Sequence, residues 1–137
     1  MKSAEMDVVA AFADAINAGD VAGLVKLMAE DHVFVDSCGT TATGLEQLAK
    51  GWGDYFRMFP DYRITLEHVI QEGHLIAAFG MASGTYNGLR GLVAENRITM
   101  PAAWKAVVEN GKIKLWQVYA DWSQGQRIIE ADRKTGQ

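Results

Sequence analysis

The dipeptide Asn110-Gly111 constrains this chain more than any other feature. Both residues tolerate the positive φ of a two-residue hairpin turn, so the pair fixes the register of the segments it joins. Those segments, 97–109 and 112–122, are long and rich in β-branched and aromatic residues. Upstream, 62–71 and 74–86 read the same way and are joined by Glu72-Gly73. Four successive strands with short turns predict an antiparallel meander. Between the two hairpins lies a loop, 87–96, carrying Gly88 and Gly91. It is long enough to serve as a lid, or to pack on the sheet's end or on a partner.

The first half of the chain follows a different period. Val8, Val9, Phe12, Ala13 and Ile16 recur at helical spacing and predict a helix over 5–18. Gly19 suits the position after that helix, and Asp20 suits the N-cap of the next, which buries Val21, Leu24, Val25 and Met28. A short strand is expected at 32–36, then a turn-rich break at 37–41. A third helix over 44–59 carries Leu45, Leu48, Trp52, Tyr55, Phe56 and Phe59 on one wide stripe and ends at Pro60. The tail from Ser123 is polar and can form a helix. Helices segregated from an antiparallel sheet define an α+β fold. The expected architecture is a cone-shaped, curved antiparallel sheet packed on three N-terminal helices, with a ligand pocket between the long helix and the sheet.

At 137 residues the chain is expected to be a single domain, with its core at about 5–122 and a polar tail at 123–137. The net charge of −4 and the scattered Lys and Arg argue against a nucleic-acid partner. No apolar run is long enough to span a bilayer, so no membrane partner is expected. Glu5 and Asp7 stand where a signal peptide would be apolar, and a cytoplasmic location is expected. The one cysteine, Cys38, rules out an internal disulfide and reads as a small loop residue. His32, His68 and His74 have no metal-ligand spacing, and no Gly-rich phosphate loop is present. Neither a metal nor a cofactor is expected.

Chemistry is suggested by two strand-ending carboxylates, Asp36 and Asp121. A carboxylate against apolar walls is a candidate acid or base, because burial raises its pKa. Asp36 either lines a pocket mouth or caps the Ser-Cys-Gly turn that follows it. Asp121 shares a face with Ile113, Leu115, Gln117 and Tyr119 if the last strand is regular. In that case Tyr119 can donate to a substrate oxygen. The other face, with Trp116 and Trp122, would be apolar enough for a dimer contact. A single β-bulge exchanges the two faces, so alternation alone leaves the choice open. Asp121 can also be a surface residue paired with a nearby Arg or Lys, and Lys105 reads as part of a solvated sheet face. Phe12, Trp52, Tyr55, Phe56, Phe59, Trp104 and Trp116 are the candidate substrate-binding residues. In a cone of this kind the helix stripe and the pocket wall are one surface.

The segments Phe12-Ala13-Asp14-Ala15-Ile16-Asn17-Ala18-Gly19-Asp20 and Met28-Ala29-Glu30-Asp31-His32-Val33-Phe34-Val35-Asp36 carry a resemblance. So do Phe59-Pro60-Asp61, Gly84-Thr85, Gly111-Lys112-Ile113 and Trp116-x-x-Tyr119-x-Asp121. Together they resemble the ketosteroid-isomerase and SnoaL-like polyketide cyclase families of the nuclear-transport-factor-2-like superfamily. The resemblance implies the cone fold over about 5–122, but not one reaction, because that superfamily hosts many. It places Asp36 where ketosteroid isomerases carry their general base. It places Phe12 and a residue near Ala103 where those enzymes hold an enolate with a tyrosine and a protonated aspartate. An oxyanion donor often contributes a factor on the order of 100, so steroid isomerisation is disfavoured. SnoaL-like cyclases place an acid/base aspartate near the end of the last strand, which Asp121 matches. Epoxide hydrolases of this fold use an Asp-Arg-Asp set, whose Arg-x-Asp part is replaced here by Arg97-Ile98-Thr99. Arg63, Arg90 or Arg97 would have to supply the arginine.

The expected function is binding of a small apolar, carbonyl-bearing molecule, with cofactor-free acid/base chemistry of the isomerase, cyclase or dehydratase kind. The expected catalytic residues are Asp36, Asp121 and Tyr119, in a homodimer formed through a sheet face. The alternatives are a non-catalytic ligand-binding or assembly module, and an epoxide hydrolase.

Overall fold

A computed structural model describes residues 3–136. Asn110 and Gly111 take φ of 53° and 74° and close the hairpin between β5 (Arg97–Glu109) and β6 (Lys112–Tyr119). The remaining strands are β1 (Met28–Val35), β2 (Thr41–Thr43), β3 (Arg63–Glu72) and β4 (Leu75–Thr85). The helices are α1 (Ala4–Ala18), α2 (Val21–Leu27), α3 (Leu45–Met58) and α4 (Ser123–Thr135). The six strands form one sheet in the order β2-β1-β6-β5-β4-β3.

Local chemistry sets the helix boundaries. Ser3 accepts from the Met6 amide at 3.0 Å and starts α1. Gly19, at φ 63°, ends it in the left-handed conformation. Asp20 then accepts from the Gly23 amide at 2.9 Å and starts α2. The α+β fold, the three N-terminal helices and the β3–β6 meander match the sequence reading. Three details do not. Strand β1 begins at Met28, which the periodicity assigns to the second helix, and it runs parallel to β6 rather than antiparallel. A parallel pair needs a long crossover, here everything from β2 to β5. The turn-rich segment after Asp36 returns as β2, which pairs with β1. The polar tail is helical, as its sequence allowed, and forms α4, in which Gly125 and Asp132 are buried.

The curved sheet shifts register at three places, one of them between Met28 and Val33 where β1 meets β6, the other two in β3 and β6. Leu66 pairs with Gly80 and His68 with Phe79, leaving Glu67 as an extra residue in β3. A Cβ on Gly80 would lie 1.7 Å from the Thr65 carbonyl oxygen, so only glycine fits opposite this bulge. In β6, Ile113 pairs with Val108 and Leu115 with Val107, leaving Lys114 extra. The concave face packs on α1 through Val9, Phe12 and Ile16, and on α3 through Leu48 and Trp52. Among the described residues, no helix is long and apolar enough to cross a membrane.

Candidate functional site

Helix α3 spans the concave sheet face without filling it. A cavity of about 490 Å³ remains between them, within the range of small-molecule sites. Trp52, Tyr55 and Leu48 of α3 form one wall. Met100, Ala102 and Trp104 of β5, and Trp116 and Val118 of β6, form the other. Phe34 and Asp36 approach from β1, while Trp122 and Ile129 of the α4 segment close one side. All four tryptophans of the chain line this cavity.

Asp36 is the one carboxylate among the lining residues, and it also caps its turn. Its Oδ1 accepts from the Cys38 and Thr40 amides, each at 2.9 Å. The two readings of Asp36 are therefore compatible. One oxygen fixes the carboxylate, and the other has no hydrogen-bond partner among the described residues. Asp36 is half-buried, and exposed Cys38 and Gln47 share the mouth with it.

The other two expected catalytic residues lie elsewhere. Ile113 is fully buried on the concave side. Regular alternation from it would bring Leu115, Gln117, Tyr119 and Asp121 inward. The bulge at Lys114 shifts the alternation by one, so Trp116, Val118, Ala120 and Trp122 face the cavity instead. Tyr119 is 48% exposed and pairs with Ala103 on the convex side. Asp121 is exposed and accepts from the Ser123 amide at 2.9 Å at the start of α4. Hydrogen bonds from Ser123, and then the Arg127 charge, lower its pKa, so it is an ionised cap. Alternation left open which face of the last strand turns inward, and the reading of Tyr119 and Asp121 as pocket residues is corrected: neither lines the cavity with Asp36, while Trp116 and Trp122 line it rather than form an outer apolar face.

The aromatic candidates divide. Trp52, Tyr55, Trp104 and Trp116 line the cavity. Phe12 does not. It is fully buried behind the wall, 4.6 Å between ring centroids from Trp116 and 6.1 Å from Trp52. Phe56 packs on Trp52 at 5.6 Å and Phe59 on Tyr55 at 5.0 Å, both outside the main cavity. None of Arg63, Arg90 and Arg97 is a lining residue. Arg97 reaches Asp61 at 3.4 Å, and Arg90 reaches Asp132 at 3.5 Å. Lys105 is also outside the cavity, on the same convex row as Gln117. No cluster of three or more potential metal ligands occurs among the described residues.

Sequence reasoning missed Tyr62, Trp122 and Ile129. Tyr62 meets Tyr55 edge-on with ring centroids 4.9 Å apart. Burial raises the pKa of both phenols, that of Tyr62 to about 12, so both remain protonated donors. Trp122 and Ile129 belong to a tail whose half-buried and buried positions recur at Trp122, Gly125, Ile129 and Asp132. That helical spacing is a usable signal, masked by the tail's overall polarity.

Asp132 holds the tail in place. Its side chain is 1% exposed. It accepts from the Leu89 amide at 2.6 Å, the Arg90 amide at 2.8 Å and the Asn96 amide nitrogen at 3.1 Å. Burial pushes its pKa upward, but these hydrogen bonds and the Arg90 charge outweigh it and leave the pKa lowered. The loop 87–96 is therefore bound to α4. His32 is fully buried beside Phe12, and its Nδ1 lies 2.6 Å from the Ile113 carbonyl oxygen. A carbonyl only accepts, so Nδ1 carries the hydrogen. Burial lowers the His32 pKa and keeps the ring neutral, against the Ile113 hydrogen bond and the Asp31 charge.

The site is thus an open-mouthed aromatic cone in an α+β fold, with a lone carboxylate at its rim. Residues 9–116 match the SnoaL-like domain family, and the chain belongs to it. No curated protein matches the sequence. Three solved structures give the scale of the fold's likeness. The first is a protein from Catenulispora acidiphila DSM 44928 with a ketosteroid isomerase-like fold, solved in complex with trimethylamine. It is 23% identical, at TM-score 0.76, over 86% of this chain and 88% of that one. The second, from Shewanella denitrificans OS-217, is assigned as a SnoaL-like polyketide cyclase. It is 14% identical, at TM-score 0.81, over 95% and 99% of the two chains. The third is TerC co-crystallised with polyporic acid. It is 18% identical, at TM-score 0.78, over 93% and 99%.

Proposed function

We propose that this protein binds a small, largely apolar, carbonyl-bearing molecule in the aromatic cavity, and that Asp36 takes a proton from the carbon α to its carbonyl. The observation that carries this reading is the setting of Asp36. Among the described residues it is the one carboxylate of the lining, fixed through Oδ1 and without a hydrogen-bond partner at Oδ2. A fixed base beside an apolar site suits proton abstraction. The C–H electron pair becomes the enolate, the proton moves to Asp36, and its return to another carbon completes an isomerisation. The Tyr55 and Tyr62 hydroxyls and the buried, unpartnered indole N–H of Trp116 belong to lining residues suited to donate to the enolate oxygen. The small organic ligands of the Catenulispora protein and TerC support the use of such a cone for binding. The quaternary state we propose is a homodimer through the convex sheet face.

Deuterium exchange at the α-carbon of 2-tetralone, followed by NMR in D₂O, tests the chemistry. The wild type accelerates exchange, and Asp36→Asn lowers the rate by roughly 100-fold. Equal rates for the two proteins would remove Asp36 from the mechanism. A second reading, a non-catalytic binding module, is favoured by Phe12 and outward-facing Ala103, which leave those two positions without an oxyanion donor. It predicts that the ketone binds without exchange.

A further inference from the structure

The electrostatics of the cavity wall point to the charge of its ligand. Trp52, Trp104, Trp116 and Trp122 line the cavity with Tyr55 and Tyr62, and Asp36 stands at the mouth. No Lys, Arg or His is among the lining residues. The wall thus combines electron-rich rings with one carboxylate. Two helix N-termini approach the wall: that of α4, next to Trp122, is met by Asp121, and that of α3, beside Gln47 and Leu48, carries Glu46 in its first turn. An anionic ligand would have no counter-charge here and would have to desolvate beside Asp36. A neutral ligand would gain burial and, where it carries an oxygen, a hydrogen bond from the wall, but no charge interaction with Asp36. A cation gains the ring quadrupoles, with indole the strongest of them, and Asp36 as well.

The kind of cation follows from hydration. A primary ammonium loses several strong hydrogen bonds on entering an apolar site, and the Asp36 carboxylate with the few hydroxyl and amide oxygens of Ser37, Gln47, Tyr55 and Tyr62 would have to converge on it to replace them. A tertiary or quaternary ammonium is weakly hydrated, and its methyl groups pack against rings. We infer that the cavity selects an organic cation, an apolar or aromatic molecule carrying a tertiary or quaternary ammonium group, seated among the tryptophans with Asp36 as counter-ion. This rests on the reading that the cavity takes a small ligand, and it is independent of whether Asp36 moves a proton.

The test uses three probes of one shape. These are benzyltrimethylammonium, its neutral carbon isostere neopentylbenzene, and the anion phenylmethanesulfonate. Binding is read by tryptophan fluorescence, since all four indoles line the site. The expected order is cation tightest, about tenfold or more over the neutral isostere, with the anion weakest. Asp36→Asn keeps an oxygen to accept from the Cys38 and Thr40 amides, so it preserves the turn. It should narrow the preference for the cation without abolishing it. Equal or tighter binding of the neutral isostere overturns the inference and leaves the small-ligand reading standing. Preference for the anion overturns it likewise. No binding of any probe by the folded protein overturns both.

Discussion

Asp36 and His32 lie four residues apart around β1 and have opposite relations to water. Asp36 sits half-buried at a mouth, with backbone amides holding one oxygen. His32 is sealed in the core, with burial holding it neutral. A sign follows for stability. The folded pKa of His32 lies below its ordinary 6.5, so the unfolded chain takes up a proton first as pH falls. The stability contributed by the neutral ring is present above 6.5 and is lost as pH drops through the folded pKa. Thermal melts between pH 7.5 and about 5 should show a falling Tm before the carboxylates titrate. His32→Asn keeps a donor for the Ile113 carbonyl and cannot ionise. It should be less stable at pH 7.5 and should lose most of that slope. An unchanged slope would move the proton uptake to another group. Sequence made His32 legible only as a histidine without metal partners. Its burial depends on the β1–β6 pairing, which no local pattern around residue 32 encodes.

At the scale of elements, the meander, the α3 stripe and the helix caps were legible because each rests on local chemistry. Asn110-Gly111, Pro60 and Gly19-Asp20 act within a few residues of themselves. The orientation of β6 was not legible. Ile113 and Trp116 are both fully buried, three residues apart, and only the bulge at Lys114 permits that in a strand. Period-two reasoning therefore kept Asp121 and Tyr119 as candidates until the register was known. Docking of α4 was hidden for a related reason, since Asp132 looks like one more surface charge until the 87–96 loop is folded around it. That latch is sensitive to volume. A Cβ on Gly88 would lie 2.2 Å from Asp132 Oδ1 and 2.3 Å from the Tyr86 ring, and the carboxylate cannot retreat without releasing its amide donors. Gly88→Ala should destabilise the protein by roughly 1–3 kcal/mol. It should also speed tryptic cleavage at Arg127 and Arg133 under native conditions. Native-like protection of α4 in this variant would refute the latch. Gly80→Ala, which places a Cβ against backbone rather than a side chain, should be worse and fail to give folded protein.

The whole molecule turns two different faces outward. Off the sheet, Met58 of α3 and Leu89 and Leu92 of the 87–96 loop are exposed. The convex side of the sheet exposes apolar area, with Phe79 at 44%, Tyr119 at 48%, Leu75 at 40% and Ile70 at 61%. Phe79, Ala103 and Tyr119 are cross-strand partners in one row over β4, β5 and β6. An apolar row running across a sheet face is the kind of surface an oligomer contact covers. Tyr119 thus moves from an expected role in the cavity to a proposed role on the opposite side of the same strand. If a second copy covers this row, light scattering at tens of micromolar should give twice the chain mass, as a sharp species that dissociates on dilution. Phe79→Glu and Tyr119→Lys each place a charge on the row, with the altered side chain on the face of the sheet opposite the cavity. Each should shift the mass to that of one chain while leaving Asp36-dependent exchange and probe binding within about twofold of wild type. A monomeric wild type at that concentration would sink the dimer. Loss of exchange along with loss of the dimer would be a different result. It would mean that the partner's presence shapes the cone, and that β6 carries the effect, because Trp116 and Val118 line the cavity on one side of the strand that presents Tyr119 on the other.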